Sequence, residues 1–315
     1  MWPKKHESAA VSWRVAEWAQ ASAKERTLIG WLSGSASKVA GLFADDFLAG
    51  MQELGYSQGR DFDMVSRYAE GIQDRLPIFA KEIVGLKPDV IVAAAVNAAP
   101  AHSATSVIPI VCPALADAVH LGLIASEARP GGNITGIEPY VAGLPAKQIE
   151  FAREIAASAT RIGLLTNLHD PKAPPQRQEL VAAAKALGLT TAETDVNNPG
   201  GIESAAKALT SARVDVVIVL QTGLLLSVGR QIAELAQANG LPTVYGYREH
   251  VLDGGLISYG VDLRWCYRRG AYFVDKILHG TPPGELPVEF PIRRRAPYNG
   301  ASEAIGAWLA DEVIE

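Results

Sequence analysis

Cysteine is nearly absent from this sequence: Cys112 and Cys266 are the only two in 315 residues. Two are too few for a disulfide framework or a cysteine zinc site, so any core must be held by apolar burial. A Cys112–Cys266 bridge would need the two Cα atoms within about 7 Å, and packing as small apolar side chains is the expected state of both. Charge of one sign is lacking too. Lys and Arg total 29, Asp and Glu 34, giving a formal net charge of -5 spread along the chain. Nucleic-acid binding needs basic residues clustered on one face and is not expected, and Arg293-Arg294-Arg295 reads as a solvated run. No stretch reaches the roughly 18 apolar residues of a membrane helix. There is no phosphate-binding loop and no Gly-x-Ser-x-Gly nucleophile context. His102, His120, His169 and His250 lack metal-ligand spacing. Hence no catalytic residue, no metal and no cofactor are expected.

What is present is ordinary globular material. Hydrophobic residues make up 48% and charged residues 20%, and the length exceeds the usual single core, so two domains are expected. Residues 1–26 stand apart. Lys4 and Lys5 followed by Ala21-Ser22-Ala23 resemble an export leader, but Arg14, Glu17 and Gln20 interrupt the apolar stretch between them. A working leader needs about 7–15 uninterrupted apolar residues. This segment is therefore a degraded leader, a misplaced start or a cytoplasmic extension.

From Thr27 onward, apolar runs alternate with helical patterns. Strands are predicted over 28–32, 62–65, 90–95 and 108–112, with a helical pattern following Ser33-Gly34-Ser35 and helices over 75–84 and from about 98 to 106. Val39, Leu42, Phe43, Phe47 and Met51 keep helical spacing, and Gly55 suits a left-handed cap after them. Continuous apolar strands joined by helices indicate parallel sheets buried on both faces. The pattern then repeats. Arg161-Ile162-Gly163-Leu164-Leu165 echoes Leu28-Ile29-Gly30-Trp31-Leu32. Val214-Asp215-Val216 echoes Pro88-Asp89-Val90, and Leu241-Pro242-Thr243-Val244 echoes Ile108-Pro109-Ile110-Val111. Three echoes in one order imply an α/β chain of two similar doubly wound lobes. The helix over 265–278 and a strand near 288–290 exceed what the second half needs, and the helix fits best on the first lobe. That makes a three-crossing hinge. The expected division is 27–137 plus 256–282 in lobe one, and 138–255 plus 283–315 in lobe two.

In such sheets ligands bind beyond the carboxyl ends of strands, where helix N-termini expose N–H groups. This selects Ser33, Gly34, Ser35, Val96, Asn97 and Asp117 in lobe one. In lobe two it selects Asn167, Gln221, Thr222, Tyr247, Arg248 and Glu249, with Tyr259 and Asp262 after the second crossing. The ligand-site expectation rests on Ser33, Ser35, Asn97, Asp117, Asn167, Gln221, Arg248, Tyr259 and Asp262. Ser33, Ser35 and Asn97 equally fit helix caps, and Asp117 a loop end. Gln221 is a poor cap. Arg248 would hold a carboxylate through two hydrogen bonds, or pair with Glu249 or Asp253. Asp262 would cap the next helix or receive an ammonium. Trp265, Tyr267 and Tyr272 lie at helical spacing and read as packing.

Three segments also carry a resemblance: Arg129-Pro130-Gly131-Gly132-Asn133-Ile134-Thr135-Gly136, Leu241-Pro242-Thr243-Val244-Tyr245-Gly246, and Gly254-Gly255-Leu256-Ile257-Ser258-Tyr259-Gly260-Val261-Asp262. Over about residues 27–291 the chain resembles the substrate-binding proteins of a bacterial ABC importer family related to the tryptophan-type, aromatic-amino-acid binders. The resemblance implies a type I periplasmic-binding-protein fold and a periplasmic location. It also implies a small-molecule ligand in the interlobe cleft, an amino acid or an organic carboxylate, aromatic ones included. The implied partner is the membrane permease of an ABC importer, with the receptor itself a monomer or weak dimer. The alternative that residues 1–26 suggest is a cytoplasmic ligand-sensing protein of the same fold.

Overall fold

The computed structural model describes residues 26–35, 37–139, 143–291 and 293–297. The leader-like segment before Arg26 and the tail after Pro297 lie outside the described residues. Lobe one is built on β1 (Thr27–Ser33), β2 (Phe62–Tyr68), β3 (Val90–Ala93), β4 (Ile110–Cys112) and β5 (Ile134–Gly136). They pair in parallel in the order β2-β1-β3-β4-β5. Lobe two holds β6 (Arg161–Thr166), β7 (Thr190–Asp195), β8 (Val216–Val219), β9 (Thr243–Tyr247) and β10 (Ile257–Val261). Their order is β10-β9-β8-β6-β7, and antiparallel β11 (Arg293–Pro297) borders β10. Read strand for strand, β6 to β10 repeat the places of β1 to β5. The expected pair of similar doubly wound lobes is present.

The repeat extends to single hydrogen bonds. In lobe one the Asp89 carboxylate accepts the Leu28 N–H at 2.7 Å as β1 begins. In lobe two the Asp215 carboxylate accepts the Thr160 and Arg161 N–H groups at 2.8 and 2.9 Å as β6 begins. Those backbone bonds hold the Asp215 carboxyl below its usual range. This is why both copies of the echo carry an Asp at that point.

Helices cover both faces of each sheet. In lobe one, α1 (Ser37–Glu53) packs on one face, and α2 (Leu76–Gly85) and α3 (Ala98–Ala104) on the other. Alternate residues of β3 enter the two cores: Val90 and Val92 the first, Ile91 and Ala93 the second. In lobe two the helices are α4 (Leu144–Ile155), α5 (Ala173–Ala186), α6 (Ile202–Ser211), α7 (Gly223–Ser227), α8 (Gly229–Ala238) and α9 (Arg248–Leu252). Neither Cys112 nor Cys266 is in a disulfide, and both are buried.

The chain passes between lobes three times: between β5 and the helix that starts at Leu144, between β10 and the helix that starts at Leu263, and between Glu289 and β11. Two segments lie on the other lobe from the one expected. Residues 256–261 contain β10, which joins β9 in lobe two, so the second crossing follows that strand instead of preceding it. Residues 283–289 return to lobe one. There the Thr135 hydroxyl donates to the Leu286 carbonyl at 2.7 Å and the Glu289 N–H to the Gly136 carbonyl at 3.0 Å. The strand expected near 288–290 is only an isolated bridge between Ile137 and Glu289. Among the described residues the last strand is β11, so the Arg293-Arg294-Arg295 backbone is in a ladder.

The long helix α10 (Leu263–Leu278) lies on lobe one against α1, as expected. Asp262 caps it, accepting the Trp265 N–H at 3.0 Å. Arg264 grips Asp46 through two bonds of 2.6 and 3.0 Å, and Arg269 grips Glu289 through two of 2.8 Å. The helices approach closely at Gly50. A Cβ there would strike the Arg268 carbonyl and lie 2.9 Å from the Ala271 Cβ, whereas one at Gly41 on the same helix would meet nothing within 4 Å. Two Gly→Ala changes in one helix should therefore have opposite signs. Gly41→Ala is expected to stabilise by about 0.5–1 kcal/mol through helix propensity. Gly50→Ala is expected to destabilise by about 1–3 kcal/mol through overpacking. Thermal melts of both variants check this, and a Gly50→Ala protein as stable as its parent would refute the close approach.

Candidate functional site

The carboxyl ends of both sheets face one another across a cavity of about 780 Å³. This lies within the usual range for small-molecule sites. Lobe one contributes Ser33 at the end of β1 and Ser35 after it, Glu70 and Gln73 after β2, and Val96 and Asn97 after β3. Lobe two contributes Asn167, Asp170 and Lys172 after β6, Leu224 and Ser227 from α7, and Tyr247 at the end of β9. Leu263 and Tyr267 of α10 form part of the wall beside Trp31 and Phe43. The wall is aromatic here. Phe43 and Tyr267 stack with centroids 4.6 Å apart, and Trp31 lies 5.8 Å from Tyr267.

Four of the nine expected site residues line this cavity: Ser33, Ser35, Asn97 and Asn167. Ser33 Oγ also accepts the Ser35 N–H at 3.2 Å, so it shapes the turn into α1. Asn97 stands at the N-cap position of α3, but its side chain makes no capping bond and its buried Oδ1 has no partner. Asn167 Oδ1 accepts the Asp170 N–H at 3.1 Å and fixes the loop that carries Asp170 and Lys172.

The other five lie elsewhere. Asp117 is exposed in the loop after β4, with a left-handed backbone (φ 49). Gln221 is structural. Its N–H donates to Gln176 Oε1 at 2.9 Å, and its Nε2 donates to the Gly246 carbonyl at 2.7 Å. Arg248 is exposed at the start of α9 and does not reach the cavity. Tyr259 packs its ring on Phe151, centroids 5.0 Å apart. Asp262 is the α10 cap. Gln221 and Tyr259 stay out of the cavity for one reason: both sit within a lobe, where a strand end is closed over by its own neighbours.

The most pronounced electrostatic feature joins Tyr247, which strand-end position selects, to Lys172, which it does not. Lys172 is 4% exposed, and its Nζ donates to the Tyr247 hydroxyl at 3.1 Å. Asp170 lies beside it, with its nearer oxygen 4.0 Å from Nζ. Burial alone would lower the Lys172 ammonium. The attraction of Asp170, Tyr247 and Glu138 outweighs it, and the group is held above its ordinary range. Burial raises the Tyr247 phenol, partly offset by Lys172, so Tyr247 keeps its proton. The signal was there: Asp170-Pro171-Lys172 lies in the same strand-to-helix loop as Asn167. Trp31 and Tyr267 were hidden differently, since their spacing suits a core and they serve as core and cavity wall together. Trp31 Nε1 is buried without a partner. No cluster of metal ligands occurs among the described residues.

Comparisons with known proteins place this geometry. The family model described as ABC transporter substrate binding protein matches residues 39–293, and the chain belongs to that family. It is a family of transporter binding proteins, not of enzymes. A tyrosine-binding protein of Clostridioides difficile (strain R20291) is 25% identical over 243 residues, covering 77% of this chain and 70% of that protein. Among solved structures, a conserved domain protein of Vibrio cholerae O1 biovar eltor is 24% identical with a TM-score of 0.82, covering 90% of this chain and 95% of that one. A domain from Streptococcus pneumonia in complex with L-Trp is 22% identical with a TM-score of 0.81, over 89% and 95%. These likenesses carry the type I periplasmic-binding-protein fold.

Behind Tyr247 lies His250, fully buried and stacked on Tyr245 with ring centroids 4.8 Å apart. Burial pushes its imidazole down to about 4, so it is neutral in the fold. The unfolded chain would take up a proton near pH 6.5. Between pH 6.5 and 4 the unfolded state thus binds more protons, and stability must fall as pH falls through that window, by about 3 kcal/mol in full. Thermal melts from pH 7 to 4.5 should show this loss, and His250→Gln should flatten it. An equal pH slope in the two proteins would remove His250 as its source.

Proposed function

We propose that this chain is the solute-receiving component of an ABC importer. It acts outside the cytoplasmic membrane, closes its lobes on a small amino acid or organic carboxylate, aromatic ones included, and presents the closed form to a membrane permease. One observation carries this reading: the cavity takes its wall from strand ends of both lobes and from the hinge helix α10. A solute there touches both lobes at once. Its binding energy then favours the closed arrangement over an open one, as population shift requires. The wall pairs an aromatic side of Trp31, Phe43 and Tyr267 with polar groups at Asn97, Asn167 and Lys172. That combination suits a ligand with one aromatic end and one polar end. The ligands of the relatives, tyrosine and L-Trp, are of that kind.

The test is isothermal titration of the full chain against aromatic amino acids, aromatic acids and small aliphatic amino acids. Binding in the micromolar range or tighter is expected for at least one aromatic member. It should come with a smaller radius of gyration in small-angle scattering. A folded protein that binds none of these solutes would overturn the reading.

A further inference from the structure

Among the described residues lining the cavity, Lys172 is the only ammonium or guanidinium. An ammonium carries three N–H donors. Tyr247 accepts one of them at 3.1 Å. The nearer Asp170 oxygen, at 4.0 Å, is beyond hydrogen-bonding reach. That oxygen accepts the Gly223 N–H at 3.0 Å, and the other Asp170 oxygen accepts the Lys172 backbone N–H at 3.0 Å. Asp170 therefore balances the charge of Lys172 without satisfying its donors. Glu138, on the first crossing, adds attraction from the hinge side. A buried ammonium left short of acceptors is costly, and the open space beside Lys172 is the cavity itself.

The Tyr247 hydroxyl accepts from Lys172, so its own proton is free to be donated. Two donors, one of them charged, thus stand together in the lobe-two wall. A third buried donor, Trp31 Nε1, lacks a partner in the lobe-one wall. On the acceptor side the interior offers less. Asn97 Oδ1 is unpartnered but neutral. Asp170 is engaged twice by backbone. Glu70 stands exposed at the rim and accepts the Ser37 N–H at 3.1 Å. The interior is built for an acceptor-rich, negatively charged group and holds no open carboxylate for an ammonium.

We propose that Lys172, with the Tyr247 hydroxyl beside it, is the anion anchor of this cavity, and that it selects aromatic carboxylates for which an α-ammonium group is dispensable. The carboxylate lies on Lys172 and Tyr247, and the ring lies against Trp31, Phe43 and Tyr267. This assignment rests on the receptor reading above and narrows its ligand class.

The experiment is isothermal titration of the full chain with matched probes: 3-phenylpropanoate and indole-3-propanoate, the amide of each, and L-phenylalanine and L-tryptophan. At least one acid should bind as tightly as its amino-acid counterpart and about 30-fold more tightly than its amide, the size expected for a buried charge-assisted hydrogen bond. Lys172→Gln should weaken the acid about 30-fold and erase its preference over the amide. Tyr247→Phe should weaken it about fivefold. An amino acid binding more than tenfold tighter than its matching acid would overturn the inference and leave the receptor intact. So would an acid-over-amide preference that survives Lys172→Gln. Binding of an aliphatic solute but none of these probes would also sink the ligand class alone, whereas no binding of any solute would remove both readings. If Lys172→Gln fails to fold, the acid–amide ratio on the native protein and the Tyr247→Phe variant still decide.

Discussion

Parallel strands all end on the same edge, and that constraint organises this molecule. Each sheet gathers its loops and helix N-termini at its carboxyl edge, where backbone N–H groups lack ladder partners. One such edge makes an open crevice. Two of them, brought face to face by a duplicated topology, make an enclosed space. Gly34 just after β1 and Asn167 just after β6 hold equivalent places in the two copies, and both line the cavity. The site is thus a product of the duplication itself, and the specific chemistry is what each copy has since placed at its strand ends.

The second constraint is how the lobes are joined. Three crossings supply the join, and α10 turns it into a defined hinge. This helix follows β10 of lobe two but packs on α1 of lobe one, so it spans the boundary. Its fixing is chiefly apolar: Cys266, Phe273 and Val274 are buried with Phe47 and Met51. The Arg264–Asp46 and Arg269–Glu289 pairs are partly exposed, and such pairs contribute up to about 1 kcal/mol each. Their bidentate geometry sets direction more than strength. Because Tyr267 and Leu263 of the same helix reach the cavity, a solute there touches lobe one, lobe two and the hinge together.

Much of the fold was legible in the sequence because burial and repetition both leave local marks. Fully apolar runs such as Val90-Ile91-Val92-Ala93 announce a strand covered on two faces. The Asp of each echo announces a shared backbone bond. The boundaries were less legible. Gly254-Gly255 reads as punctuation, but nothing local says that the chain crosses after β10 instead of before it. That depends on β9 offering an open edge to pair with, which is a long-range fact. The site was half legible for a similar reason. Strand-end position brings a residue to the right edge, as with Ser33, Ser35, Asn97 and Asn167, but it does not say whether a neighbour will close over it. Gln221 is taken up by Gln176 and Gly246, and Asp262 by its own helix. Lys172 shows the converse. A lysine in a polar loop reads as solvated, and only the fold shows that the loop is roofed.

Lys172 also marks where this molecule departs from the least costly solution. A neutral side chain at that place would bury without opposing its surroundings. A buried ammonium needs a compensating charge and acceptors for its donors. Asp170 supplies the charge and is itself held by two backbone N–H groups, so it cannot swing to close the 4.0 Å gap. Tyr247 supplies one acceptor and is packed from behind by the neutral ring of His250. The fold thus fixes both partners of Lys172 and leaves its remaining hydrogen bonds to whatever enters the cavity. An arrangement that compensates the charge but not the donors serves stability poorly. It suits the proposed recognition, because an acceptor on a carboxylate would complete a bond set that the Tyr247 hydroxyl alone leaves short.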